Sequence, residues 1–134
     1  MALAYDSDTK TISIRSGDSG LLIFKFKQEV NGLKATFAVK KHDSDYEDEA
    51  VIIKSFIIGE DEHLEPNTAY ISLTSYDTEV LEVIPKNIKQ NWQDYVWMLN
   101  VGDTEGSNSN TVIPEGFNEF PVFRVYRGSV NEYR

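Results

Sequence analysis

The chain contains no cysteine. A disulfide framework, a thiolate metal site and a cysteine nucleophile are therefore all excluded. Histidine is nearly absent as well: His42 and His63 each sit in or beside an acidic stretch, without a second histidine four residues on. An imidazole metal centre lacks converging ligands, and both read as surface residues. No apolar run approaches the roughly 18 residues of a membrane span. Met1–Lys10 has no basic segment followed by an apolar one, so membrane insertion and Sec export are not expected. Basic residues are in the minority, 13 Lys and Arg against 22 Asp and Glu for a net charge of −9, and they do not cluster. Phosphate-backbone recognition needs such clusters, so nucleic acid is not an expected ligand.

What is present is a pattern of strands. At 134 residues the chain is long enough to bury a core as one domain, 1–134, with the core within about 9–127. Short runs rich in β-branched and aromatic residues alternate with polar stretches, which predicts an all-β fold. Strands are expected near 10–15, 20–28, 34–41, 50–58, 68–74, 94–102, 110–114 and 119–127. Asn31-Gly32 tolerates positive φ at a tight turn and predicts a hairpin over 20–41. Leu22, Phe24 and Phe26 would share the core face of one arm, and Ala35, Phe37 and Val39 that of the other, with lysines opposite. Ser75-Tyr76-Asp77-Thr78 starts the one helical piece, which Pro85 should stop, and a second turn could form at 86–90. Residues 102–110 read as a flexible polar loop. The expected core is Phe24, Phe37, Ile71, Leu73, Trp97 and Leu99.

The candidate chemical sites give way to plainer readings. Asp43-Ser44-Asp45-Tyr46-Glu47-Asp48-Glu49 begins like a calcium loop, with oxygen ligands at alternate positions. Asp48 then stands where the sharp turn needs glycine and Lys54 where a bidentate glutamate belongs, so a solvated loop is expected. Gly17-Asp18-Ser19-Gly20 resembles the surroundings of some nucleophilic serines, but it lies between two predicted strands with no strand-to-helix elbow and reads as a turn. The carboxylates of 43–65 are solvated and lack the setting that raises a general acid's pKa. The expectation is a protein that is not an enzyme and holds no cofactor or metal.

Tyr95, Trp97, Leu99 and Val101 alternate on one strand, which predicts a core face. A second possibility is a carbohydrate-binding sandwich that stacks sugars on Trp92, Trp97 and Tyr95. Charge is unevenly placed: residues 43–65 hold nine carboxylates against Lys54, a net −8, leaving thirteen acids and twelve bases elsewhere. Residues 119–134 carry Arg124, Arg127 and Arg134 against Glu119 and Glu132, a net +1. This asymmetry makes Asp45, Glu47, Asp48 and Glu49 one candidate partner-binding pole, joined by the loop at 60–65. Arg124, Tyr126 and Arg127 make the other, and the two could meet head to tail.

Several motifs in order resemble one family. They are Arg15-Ser16-Gly17-Asp18-Ser19-Gly20 before the strand Leu21–Phe26, then Leu33–Lys41, Ile71-Ser72-Leu73-Thr74 followed by Asp77-Thr78 and Leu81, Tyr95-Val96-Trp97, and Glu115-Gly116-Phe117 before the last strand. Together they resemble the N-terminal domain of phage baseplate upper proteins and related tail or neck accessory proteins. The resemblance implies an immunoglobulin-like antiparallel β-sandwich with a short helical crossover. It also implies a phage or prophage tail or baseplate protein, made in the bacterial host cytoplasm and located in the virion. Such a protein works by protein–protein assembly with other tail components, as a homo-oligomer. No fibre or receptor-binding segment follows Arg134, so the expectation is a stand-alone assembly protein.

Overall fold

Side-chain alternation decides which way each strand faces. The computed structural model describes residues 3–41, 50–81, 83, 91–116 and 118–128. They form strands β1 (Leu3–Asp6), β2 (Thr11–Arg15), β3 (Gly20–Lys25), β4 (Lys34–Lys40), β5 (Ile52–Ile57) and β6 (Thr68–Leu73). Helix α1 (Ser75–Glu79) follows, then β7 (Trp92–Gly102), β8 (Ser109–Ile113) and β9 (Val122–Tyr126). Buried residues recur at every second position: Ile12 and Ile14 on β2, Leu22 and Phe24 on β3, Ala35, Phe37 and Val39 on β4. The same spacing places Ala69, Ile71 and Leu73 on β6, Tyr95, Trp97, Leu99 and Val101 on β7, and Phe123 and Val125 on β9. A pleated strand sends alternate side chains to opposite faces, so each strand offers one apolar face to a common interior.

Those faces close as two sheets, a larger one in the order β1-β2-β9-β7-β4-β5 and a smaller one of β3 and β6. The architecture is an all-β sandwich, with α1 in the connection from β6 to β7. One ladder departs from the expected antiparallel arrangement: β2 and β9 run parallel, Ile12 opposite Phe123. They come from distant parts of the chain and are not joined by a hairpin, so no tight turn imposes opposite directions. The eleven residues of β7 carry two partners on one flank, β9 along Trp92–Val96 and β8 along Leu99–Gly102. The β8 ladder skips Val112 between the Leu99–Ile113 and Asn100–Thr111 pairs, a bulge that bends β8.

Residues 20–41 do not form the hairpin that Asn31-Gly32 predicts. β3 pairs with β6, whereas β4 pairs with β5 and β7, so the intervening segment crosses between sheets. The turn chemistry is present: Gly32 has φ +88° and the Leu33 N–H donates to the Val30 carbonyl at 3.1 Å. Other bonds redirect it. The Asn67 N–H donates to Asn31 Oδ1 and the Val30 N–H to Asn67 Oδ1, both at 2.8 Å. Gly32 N–H donates to the Ile58 carbonyl at 2.6 Å, and Ile58 N–H to that of Leu33 at 2.9 Å. These bonds fasten the crossing to the β5–β6 connection. Phe26, expected in the core, is only partly buried against it.

Trp97 is the centre of the interior. It is fully buried, with ring centroids of Phe37 at 5.6 Å, Phe24 at 5.8 Å and Tyr5 at 6.2 Å. Its indole N–H donates to the Lys10 carbonyl at 2.9 Å, so the polar edge of the ring is satisfied. That acceptor is presented by the β1–β2 turn, where Lys10 adopts φ +60° and Asp6 Oδ1 accepts from the Asp8 N–H at 2.9 Å. Phe24, Phe37, Ile71, Leu73 and Leu99 are buried with it.

Candidate functional site

Loop positions follow from strand direction. Lys40 of β4 is level with Val96 and Val122, and Lys34 with Gly102 and Ile57. One end of the sandwich therefore holds the β2–β3 turn, α1, the start of β7 and the end of β9. The 26–33, 58–67 and 103–108 connections lie at the other. The acidic stretch 60–65 lies with the latter. Asp45, Glu47, Asp48, Glu49 and His42 themselves lie outside the described residues, as does the candidate turn at 86–90.

At the basic pole, β9 is flanked by β2 and β7 and offers only its outer face. Arg124 Nε and Nη2 donate to the two carboxylate oxygens of Asp94 at 2.7 and 3.0 Å, while the guanidinium lies 5.2 Å from the Trp92 ring centroid. Bonding to Asp94 pushes the Arg124 guanidinium further above its ordinary range, against the opposing effect of burial, and keeps it charged. The Tyr126 ring lies 6.4 Å from Trp92, and the Arg127 carbonyl accepts from Arg15 Nη1 at 3.0 Å. The structure thus gathers Arg15, Trp92, Asp94, Arg124 and Tyr126 on one outer face, with the charge of Arg124 already matched by Asp94, while Arg127 is tied to it through its backbone carbonyl.

The acidic 60–65 loop borders an open cleft of about 630 Å³ lined also by Ser55, Phe56 and Ile57. His63 N–H donates to Asp61 Oδ1 at 2.9 Å, and Glu65 pairs with Lys25 at 3.3 Å. Among the described residues no three His, Cys, Asp or Glu side chains converge as a metal would require.

Gly17-Asp18-Ser19-Gly20 is a turn: the Asp18 N–H donates to the Arg15 carbonyl at 3.1 Å, and Gly17 has φ +88°. Its anchor is Thr78 of α1, whose hydroxyl accepts from the Gly17 N–H at 3.0 Å and donates to the Asp18 carbonyl at 2.7 Å. The sequence does not announce that role, since Thr78 reads as a first-turn helix residue. The 103–108 loop, expected to be flexible, is built around Asp103. Its carboxylate accepts from the Ser107 hydroxyl at 2.7 Å, the Ser107 N–H at 2.9 Å and the Asn108 amide at 3.2 Å. These bonds, the Ser107 hydroxyl first, hold the Asp103 carboxyl down at about 2.

The proposed stacking platform does not assemble. Tyr95 and Trp97 are buried in the core, and Trp92, an odd number of residues away, lies on the opposite face of β7. The smaller sheet holds a surface that the sequence reading missed. The outer face of β3 carries Leu21 and Ile23, 52% and 50% exposed, before the expected Lys25. The signal was the unbroken apolar run Leu21-Leu22-Ile23-Phe24, where a half-buried strand would alternate with polar residues. No family model, curated protein or solved structure matches the chain.

Proposed function

We propose that the protein is a non-enzymatic assembly or adaptor component of a phage or prophage tail or baseplate, acting through protein–protein contacts in the virion. The observation that carries the contact-making part is the pair of half-exposed side chains Leu21 and Ile23 on the small sheet, which places neighbouring apolar residues on a strand whose second flank is unpaired among the described residues. An immunoglobulin-like sandwich supplies rigid faces and edges for such contacts. The tail or baseplate setting rests on the family resemblance of the ordered motifs from Arg15 to Phe117. Purifying particles after phage induction and probing their tail fraction tests the reading. The protein is expected to co-purify with tail components in fixed proportion; particles of normal composition that lack it would overturn the proposal.

A further inference from the structure

Among the described residues, the smaller sheet has an open edge along β3. In an antiparallel ladder, the backbone groups of alternate residues point toward the paired strand and those between point away. The Phe26 N–H donates to the Asn67 carbonyl at 2.9 Å, and the same register continues through Phe24–Ala69, Leu22–Ile71 and Gly20–Leu73. Gly20, Leu22 and Phe24 therefore direct their N–H and C=O groups at β6. The groups of Leu21, Ile23 and Lys25 point outward and find no partner among the described residues. Those residues also carry the exposed side chains, so an unpaired edge and an apolar outer face coincide. Exposed edges of this kind are templates for another strand.

We propose that β3 pairs antiparallel with β3 of a second copy of this chain, about a two-fold axis at Leu22, joining two small sheets into one β6–β3–β3–β6 sheet. The inference deepens the assembly reading and rests on it. The edge is self-complementary in this register. Leu21 stands opposite Ile23 of the second copy, each such pair exchanges both outward backbone hydrogen bonds, and the apolar side chains form one patch on the outer face. Lys25 falls opposite Ser19 of the second copy, next to Asp18, so like charges do not meet. Centring the axis at Ile23 would instead set Lys25 against Leu21. Leu22 and Phe24 stay in their own cores throughout, so pairing requires no refolding. A symmetric contact of this kind closes on itself and gives a dimer, not a fibre.

Sedimentation across a concentration series, with amide hydrogen exchange at both ends of the series, tests the pairing. A monomer–dimer equilibrium is expected. The amides of Leu21 and Ile23 should gain protection as the dimer forms, while those of Leu22 and Phe24, bonded to β6, stay protected throughout. Ile23→Lys places a charge on the edge at a half-exposed position and should weaken the dimer by about tenfold or more. Its melting temperature at low concentration should match that of the parent. Ile53→Lys, at an exposed apolar site on β5 of the other sheet, should leave association unchanged. A monomer at every concentration, a dimer without the concentration-dependent protection of Leu21 and Ile23, or equal weakening by both variants overturns the inference. A monomer that still co-purifies with tail particles would remove self-pairing and leave the assembly reading standing. A β3-paired dimer absent from particles would do the reverse.

Discussion

At Thr78 a single hydroxyl joins a turn to a helix. It is fully buried, accepts the Gly17 N–H and donates to the Asp18 carbonyl, while its own carbonyl accepts from Ser16 Oγ at 3.4 Å. Thr78→Val keeps the volume and leaves two backbone groups without their partner, so it should cost about 1–3 kcal/mol. Thr78→Ser retains the hydroxyl and should cost less. Urea midpoints of the two variants check the order, and a valine variant as stable as the parent would mean that water replaces the hydroxyl. Trp97 makes the complementary case, because its worth is mostly apolar. Trp97→Ala should cost about 3–5 kcal/mol through the cavity it leaves among Phe24, Phe37 and Tyr5. An equilibrium unfolding curve measures this directly.

α1 shows how an element too short to hold itself is fixed by its ends. Isolated helices of this length are not stable in water. Here Asp77 N–H donates to Thr74 Oγ1 at 3.2 Å and Thr74 N–H to Asp77 Oδ2 at 2.7 Å, a reciprocal capping box. Lys54 of β5 adds an ion pair to the same carboxylate at 2.8 Å. Burial would raise the Asp77 carboxyl, but the bonds from Lys54 and Thr74 outweigh it, and the group sits below its ordinary value. A depressed folded pKa contributes stability above the ordinary value, near 3.9, that is lost as pH falls through the folded value. Asp77→Ala should therefore cost about 1 kcal/mol at neutral pH, with a gap to the parent that narrows in acid; unfolding midpoints from pH 7 down to about 2 would show it. The sequence placed this helix start well but named Ser75 onward, whereas the cap is Thr74. Eight strands were legible, most of them because their period of two survives burial; β8, whose first three residues are exposed, was marked instead by its β-branched run Thr111-Val112-Ile113. β1 was not, since Ala4, Tyr5 and Asp6 are all exposed and show no alternation. The 20–41 hairpin failed for a different reason: two consecutive strands with inward apolar faces look alike whether they pair or oppose each other across the core. The bonds that select the crossing, among them Asn67 N–H to Asn31 Oδ1 and Val30 N–H to Asn67 Oδ1, join residues some 36 positions apart and leave no local signal. The outward groups of β3 were equally hidden, because they depend on which strand lies beside it.

Over the whole molecule, charge and assembly pull in opposite directions. Each copy carries a net −9, so two copies repel wherever they meet through an uncharged contact. A head-to-tail contact between the acidic stretch and the basic strand would instead be attractive. Arg124 already spends its charge on Asp94, which leaves less of it for such a contact. The two contacts answer salt with opposite signs. At about 0.01 M ionic strength the Debye length is near 30 Å, and at 0.15 M it is about 8 Å, so added salt screens both the repulsion and the attraction. Pairing through the apolar, hydrogen-bonded edge of β3 should strengthen over that range, while a two-signed contact should weaken. Linkage supplies a second readout, because association of folded copies makes the melting temperature rise with protein concentration. The expected outcome is a melting temperature that rises with concentration, and does so more steeply at the higher salt. A rise that is steeper at low salt would assign the interface to the charged poles and exclude the β3 edge.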